Sequence, residues 1–492
     1  MELKIKLLKL SAGIPVVILN ERTANIIGVK TKGRIQIKTI SSSPQHVSTI
    51  VDISPNFVKE NELGISEEVR ERMNLHAGQK VDVDLSPTPK SLIYIKNKMN
   101  GKELSQDEIN EIIKDIIDNS LSEAEIALFI SAMYQKGMNM TETIRLINAI
   151  SDSGQKLNMK GKYIVDKHSI GGIPGNRTTP LVVAICAAGG LIFPKSSSRS
   201  ITTAAGTADV VETLAKVEFS IEELGKIVRK VGACLIWGGS LEIVPADEKI
   251  ISIEKMLNID PEAQLLASIM SKKLALGAKY ILIDIPYGKT AKVTKEKALD
   301  LKKKFEYIGK HFKRKMKVVL TKGEEPIGNG IGPSLEMIDI IKILSRSSDR
   351  PLDLEKKSLS LAGEIFEMVG KAKKGKGVLL AKEILDSRKA FDKFKEIIIA
   401  QKGSMKKLHP AKYSKDITMI KAGKILDIDN KKINFLARIA GCPMDKNAGL
   451  YLYKHIGDSL NKGEKIITIY AESKSRLREA INFYYSHKPI KF

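Results

Sequence analysis

The segments YIVDKHSIGG (163–172) and TPLVVAICAAGG (179–190) decide the fold of the central part of the chain. The first is typical of a buried strand that ends in a glycine turn, and the second of a helix that packs closely through small residues. Two later segments, EELGKIVRKVGACLIW (222–237) and SIMSKKLALGAKYILIDI (268–285), each predict a helix that stops at glycine before a β-branched strand. This alternation predicts a mostly parallel sheet flanked by helices.

Near both ends of the chain, apolar and polar residues alternate with the two-residue period that is typical of strands. Short alternating runs such as RIQIK (34–38) and QKVDVDL (79–85) predict a small β-barrel-like domain, which the prolines of SPTPKS (86–91) close. Near the other end, GEKIITIYAE (463–472) alternates apolar and polar residues, and RLREAINFYY (476–485) after it predicts a helix. The simplest interpretation of this end is an α+β domain.

A helical segment follows the N-terminal strands. Ser105 with Glu108, and Ser122 with Glu125, have capping-box spacing, and Thr141 marks the start of a third helix. We therefore predict a multidomain α/β protein with four parts: an N-terminal β-rich domain (1–85), a helical domain (86–160 with 245–275), a central α/β domain (161–244 with 276–400) and a C-terminal α+β domain (401–492).

Composition limits the class of protein. The chain has 492 residues and a net charge of +24, a field that attracts anions such as nucleotides and phosphate. The lysines are spread along the chain without interleaved aromatic residues, so nucleic-acid binding is the weaker interpretation. The three cysteines have neither CxxC spacing nor histidine partners, and no apolar run is long enough to span a membrane. We expect a cytoplasmic protein, with a composition that also fits a thermophile.

Two neighbouring loops are rich in groups that bind anions. DKHSIGGIPGNRTT (166–179) combines glycines, whose backbone amides can approach an anion, with Lys167, Ser169 and either Thr178 or Thr179. SSSRSITTAAGTAD (196–209) follows one helix later and adds short hydroxyl donors and an arginine that can bind two phosphate oxygens. In an open parallel sheet, such loops at the carboxyl ends of strands form the ligand site. A glycine turn or a Ser/Thr turn alone is the alternative, which the pairing of the two loops disfavours.

These two loops resemble the paired signature of the thymidine and pyrimidine-nucleoside phosphorylases, and the resemblance extends over most of residues 86–492. VPADEKI (244–250) and GPSLE (332–336) support it, while Ser200 stands where a small Gly or Ala is usual. SIEKMLNIDPEAQ (252–264) lacks the arginine with which nucleoside enzymes recognise the base. Together with a longer GGIPGNR turn and an added N-terminal domain, this indicates the branch that acts on nucleoside 5′-monophosphates such as AMP.

The resemblance implies a pentosyltransferase. Such an enzyme converts AMP, and CMP or UMP beside it, with inorganic phosphate into free base and ribose 1,5-bisphosphate in nucleotide degradation. Phosphate is a co-substrate, and neither a cofactor nor a metal is implied. A homodimer or larger homo-oligomer is expected. The base preference, the oligomer size and the function of the N-terminal domain stay open.

The resemblance also assigns site residues. Lys167, Ser169 and Thr178 match positions that hold phosphate. The substrate-binding positions are Gly172, Ser198, Arg199, Ser200, Ile201, Thr202, Thr203, Thr207, Ser268 and Lys292. Asp260 matches the proton donor to the leaving base, although an Asp before Pro261 is also a common helix cap. Lys272, one turn after Ser268, is a weaker candidate. His168 matches a proposed acid, and a structural turn histidine is an equal alternative.

Three other functions compete with this prediction. A nucleoside phosphorylase would act on adenosine or uridine. A phosphoribosyltransferase would need pyrophosphorylated ribose and magnesium. A basic nucleic-acid-binding protein would show salt-sensitive binding without phosphorolysis.

Overall fold

The computed structural model describes residues 1–11, 13, 15–200, 203–240 and 243–492. The chain divides into two compact units, one formed by Met1–Ser153 with Pro245–Ser268 and the other by Gly154–Val244 with Ile269–Phe492. No helix within those described ranges is both long and apolar enough to cross a membrane.

The first unit begins with a closed six-stranded barrel, as the alternating runs predict. The elements of this part are β1 (Glu2–Leu7), β2 (Val17–Asn20), α1 (Glu21–Ile27), β3 (Arg34–Thr39), β4 (His46–Ser54), β5 (Glu62–Ile65), α2 (Glu67–Met73) and β6 (Lys80–Leu85). The strands pair in the order β1-β5-β2-β4-β3-β6. Alternate side chains such as Ile35, Ile37, Val81 and Val83 are fully buried, because period-two apolar positions face the interior of a barrel.

Four helices follow the barrel in the same unit: α3 (Ser91–Met99), α4 (Gln106–Ile117), α5 (Glu123–Lys136) and α6 (Met140–Asp152). The capping boxes of Ser105 and Ser122 are present as predicted. The prediction for the third helix is wrong in position, because α6 is capped by Asn139 and not by Thr141. The Asn139 side chain accepts a hydrogen bond from the backbone of Glu142 at 2.8 Å and forms a capping box with that glutamate.

The second unit begins with parallel strands and their helices: β7 (Val165–Ser169), α7 (Thr178–Ala188), β8 (Phe193–Ser197), α8 (Thr207–Val211), α9 (Ile221–Val231), β9 (Ala233–Trp237) and a short 3-10 turn at Gly238–Ser240. Helix α10 (Pro245–Leu257) belongs to the first unit, and α11 (Glu262–Ala275) contains the next division of the chain, after Ser268.

The remaining elements complete the second unit: β10 (Tyr280–Tyr287), α12 (Lys295–His311), β11 (Lys315–Lys322), β12 (Gly330–Ile331), α13 (Pro333–Leu344), α14 (Leu352–Met368), α15 (Gly377–Asp386), α16 (Lys389–Ala400), β13 (Tyr413–Thr418), β14 (Gly423–Lys424), β15 (Asp427–Ile428), α17 (Asn430–Ala440), β16 (Gly449–Leu452), β17 (Ser459–Leu460), β18 (Lys465–Ala471), α18 (Lys474–His487) and β19 (Ile490–Lys491). The C-terminal part combines α17 and α18 with a sheet of order β12-β16-β18-β13.

The central strands are parallel, but they form two strips where one sheet is predicted. One strip has the order β11-β10-β7 and the other pairs β8 with β9. A single parallel bridge between Ile164 and Ile192 connects the strips. Since β7, β8 and β10 run in the same direction, the loops that follow them leave the same edge. This edge carries the two loops that the sequence singles out.

Candidate active site

Lys167 occupies the interior of the second unit near the end of β7. Its side chain is 1% exposed, and its ammonium group donates to the hydroxyl oxygens of Thr178 at 2.7 Å and Thr179 at 3.3 Å. Both threonines therefore contact Lys167, and Thr178, the first residue of α7, is the nearer. Burial lowers the pKa of Lys167 to about 7, although the Asp284 carboxylate opposes this shift.

Serine hydroxyls at the ends of two strands lack hydrogen-bond partners. The Oγ atoms of Ser169 at the end of β7, and of Ser196 and Ser197 at the end of β8, are buried without a partner among the described residues. Buried hydroxyls are normally paired, so each such group calls for an explanation. Three unpaired hydroxyls at the ends of two neighbouring strands can donate to the oxygens of an anion. The buried ammonium group of Lys167 lies on the same strand as Ser169, two residues before it. Ser196 and Ser197 are not among the predicted site residues, although they belong to the same serine run.

Arg177 is a further residue that sequence reasoning missed. Its guanidinium donates to the Thr207 hydroxyl at 3.0 Å, to the Ala205 carbonyl at 2.7 Å and to the Glu336 carboxylate at 2.6 Å. It thus connects the start of α7 with the second loop and orients the predicted substrate residue Thr207. Burial raises the pKa of Glu336 to about 7, and the ion pair with Arg177 opposes this. The position of Arg177 directly before Thr178 in GNRTT was the available signal.

The second loop is held by carboxylates. The backbone amides of Ser200 and Gly206 both donate to one oxygen of Asp209, each at 2.8 Å. The Ser200 hydroxyl donates to the carbonyl of Thr203, while Ser198 is exposed directly after β8. The predicted substrate residues Ile201 and Thr202 lie outside the described residues.

Arg199 is engaged by acidic residues. Its two terminal nitrogens each lie 2.9 Å from an oxygen of Glu212, a bidentate pair, and one of them lies 3.0 Å from Glu218. The guanidinium also lies over the Trp237 ring, 4.7 Å from its centroid. The hydrogen bonds from Arg199 lower the pKa of Glu212 to about 2. In this structure, the arginine therefore holds the loop, and phosphate would have to compete with its carboxylate partners.

Gly172 and Lys292 bring the loop after β10 to the first loop. Gly172 has φ +94°, and a Cβ there would lie 2.9 Å from the Cβ of Lys292. Only glycine permits both this backbone conformation and this approach. Two of the predicted substrate residues are therefore neighbours.

His168 precedes Ser169 on β7. Burial lowers its pKa well below the usual range, and the nearby ammonium groups of Lys273, Lys195 and Lys272 add to this effect. The His168 imidazole is therefore neutral at neutral pH.

Among the described residues, no group of three or more His, Cys, Asp or Glu side chains has the arrangement of a metal site.

Asp260 and Ser268 lie in the first unit. Asp260 is exposed immediately before α11 and lines a cavity of about 310 Å³, whose other lining residues are Met133, Tyr134, Gly137, Met138, Pro261, Glu262 and Ala263. The Ser268 hydroxyl donates at 2.9 Å to Asp247, a fully buried carboxylate that also accepts from Gln264 at 2.8 Å. Ser268 and Lys272 both lie on α11.

The sequence matches three domain families. Residues 93–154 match the helical bundle domain of a glycosyl transferase family, residues 161–391 match the a/b domain of the same family, and residues 424–491 match the pyrimidine nucleoside phosphorylase C-terminal domain. Among solved structures, anthranilate phosphoribosyltransferase from Thermus thermophilus shares the fold, with a TM-score of 0.53, 18% identity, and coverage of 63% of this chain and 99% of that one.

Full-length relatives are more similar. The AMP phosphorylase of Thermococcus kodakarensis is 42% identical, with 100% of this chain and 98% of the relative aligned. The AMP phosphorylase of Pyrococcus furiosus is 41% identical over 99% and 97% of the two chains. A putative thymidine phosphorylase of Legionella pneumophila is 40% identical over 92% and 87%. From identity at this level over the whole length, we conclude that the chain belongs to the AMP phosphorylase family.

Proposed function

We propose that the protein is a pentosyltransferase that cleaves AMP with inorganic phosphate to give adenine and ribose 1,5-bisphosphate. Two observations carry this proposal: the unpaired serine hydroxyls of Ser169, Ser196 and Ser197 at the ends of β7 and β8, and the buried ammonium group of Lys167 on β7. This arrangement leaves hydrogen-bond donors ready for anion oxygens. The AMP phosphorylase relatives support AMP as the nucleotide, and CMP and UMP are further candidates.

In the proposed mechanism, an oxygen of phosphate attacks C1′ of the ribose. Lys167, Ser169 and Thr178 orient the phosphate, and preorganised donors reduce the cost of bringing the two anions together. The C1′–N bond breaks, its electron pair goes to the base, and Asp260 donates a proton to the base. Because phosphate itself is the nucleophile, we propose that no cofactor or metal is needed.

The 5′-phosphate is the second anion. We propose that the loop from Ser198 to Thr203, with Thr207, Gly172 and Lys292, binds it. The hydrogen bonds from the backbone amides of Ser200 and Gly206 to Asp209, and the Arg199–Glu212 pair, hold these flanking residues in place without substrate, which supports this role. We further propose that Ser268 contacts the base.

Product analysis tests this function. The protein is incubated with phosphate and, separately, AMP, CMP, UMP, adenosine or uridine, and ³¹P NMR identifies the sugar product. Ribose 1,5-bisphosphate from AMP is the expected result. Faster release of base from uridine or adenosine, with ribose 1-phosphate, would instead establish a nucleoside phosphorylase, the second candidate that the Legionella relative supports.

We also propose a cytoplasmic homodimer or larger homo-oligomer. The three cysteines, Cys186, Cys234 and Cys442, are buried and free, which fits a reducing compartment. Light scattering after size-exclusion chromatography would measure the oligomer, and a monomeric mass would refute this part of the proposal.

A further inference from the structure

One face of helix α17, in the C-terminal part of the chain, contacts two of the substrate loops. The Asn434 side chain is 5% exposed; its oxygen accepts a hydrogen bond from the backbone amide of Ala204 at 2.9 Å, and its nitrogen donates to the carbonyl of Gly172 at 3.5 Å. Ala204 directly follows Thr203 in the second loop. One amide side chain therefore joins the loops after β7 and β8.

Asn430, one turn earlier on α17, contacts the third loop. Its backbone amide and its side-chain nitrogen lie 3.2 Å and 3.1 Å from the Thr290 hydroxyl oxygen, and the side-chain nitrogen also donates to the carbonyl of Gly323 at 3.0 Å. Thr290 lies two residues before Lys292. Asn430 and Asn434 have the i, i+4 spacing that places them on the same face of the helix.

The hydrogen bonds of Asn434 and Asn430 indicate that these residues position the loops, because packing of α17 alone would not require them. Burying an amide is costly unless it is paired, and an apolar side chain would pack α17 at lower cost. Three of the four groups that Asn434 and Asn430 contact belong to Ala204, Gly172 and Thr290, and each lies within two residues of a proposed substrate contact. The fourth is the carbonyl of Gly323.

We propose that Asn434, supported by Asn430, is a positioning residue that sets the spacing of the AMP-binding loops from the C-terminal domain. This inference rests on the proposed function, because it explains how the loops of the same site are held in position. It also assigns a task in the reaction to α17, which contains no predicted substrate contact.

The test uses variants of the full chain. Asn434→Leu removes both hydrogen bonds at similar volume, and Asn434→Asp keeps the acceptor for the Ala204 amide. Asn482→Leu on α18 is the control, because Asn482 is exposed in the same domain. Should Asn434→Leu not fold, Asn434→Ser, whose shorter side chain cannot join both loops, takes its place.

The expected kinetic result is a fall of 10- to 100-fold in kcat/KM for AMP in Asn434→Leu, mainly through KM, because displacement of a loop by about 1 Å has effects of this order. The melting temperatures of Asn434→Leu and Asn482→Leu should stay close together. Wild-type KM and kcat in Asn434→Leu would overturn the inference and leave the proposed function standing.

Hydrogen exchange without substrate tests the positioning role of Asn434 separately from the proposed function. The Ala204 amide should exchange at least tenfold faster in Asn434→Leu than in the wild type, and at nearly the wild-type rate in Asn434→Asp. If the wild type does not cleave AMP at all, the proposed function is wrong. The exchange rates would still show whether Asn434 holds the Ala204 amide. Equal exchange in all variants would show that Asn434 does not hold this loop.

Discussion

Binding of a dianion to the site should draw a proton from solution at mildly alkaline pH, and Lys167 should be the group that takes it. With its pKa lowered to about 7 by burial, Lys167 is mainly neutral above that pH in the free protein. An anion beside the ammonium group favours its charged form. The charged groups that face Lys167 are Asp284 on β10, Lys357 on α14, Arg177 before α7 and Asp166 on β7.

The size of the effect follows from the pKa. At about pH 8, roughly a tenth of Lys167 is protonated in the free protein, so saturation with an anion should take up about 0.9 proton. At about pH 6 the uptake should fall to about 0.1 proton.

The titration of Lys167 also makes the stability of the folded protein depend on pH. Between about pH 7 and pH 10.5, the ordinary pKa of lysine, the unfolded chain binds more protons than the folded protein does. The free energy of unfolding should therefore rise with pH across this window, by at most roughly 5 kcal/mol.

Calorimetry in buffers of different ionisation enthalpy measures the uptake. Sulfate is the ligand, because its charge does not change in this range and its own titration cannot contribute. Lys167→Met should abolish the uptake at saturating sulfate. Glu336→Gln should retain it, which separates Lys167 from the other buried group with a pKa of about 7. No proton uptake by the wild type at about pH 8 would refute the reasoning.

Three further predictions concern single residues. Arg199→Ala should lower kcat/KM for AMP more than for adenosine, and an equal loss would leave Arg199 with only a role in holding the loop. Asp260→Asn should lower kcat far more than the affinity for AMP in equilibrium binding, and unchanged turnover would remove Asp260 from the mechanism. Gly172→Ala should destabilise the protein by about 1–3 kcal/mol in thermal denaturation, because φ is +94° and the new Cβ would meet Lys292; an unchanged melting temperature would show that the loop accommodates a side chain.

Local rules were sufficient for many elements of the fold. The capping boxes of Ser105 and Ser122 depend on residues three positions apart, and both are present. The cap of α6 shows the limit of such rules. Asn139 and Thr141 are both acceptable caps, and Asn139 is used because the capping partner Glu142 stands three residues after it.

Contacts between distant residues could not be predicted in the same way. Arg177 reaches Glu336 across 159 positions, and Asn434 reaches Ala204 across 230. Nothing in the local sequence of an arginine or asparagine specifies such a partner, because the contact exists only after the helices pack. The glycines and hydroxyls of the loops were visible in the sequence, whereas the groups that hold those loops in place were not.

The balance of buried charge explains why an anion should complete the site. Near β7, the ammonium groups of Lys195 and Lys273 share the carboxylate of Asp166, at 3.5 Å and 2.8 Å. Lys167 is attracted by Asp284, but that carboxylate also pairs with Lys357 at 3.2 Å. These described residues therefore bury more cations than carboxylates, and burial of an unpaired ammonium is costly. Loss of a proton relieves that cost in the free protein; a bound dianion relieves it by supplying negative charge, so proton uptake and anion binding should be one linked event.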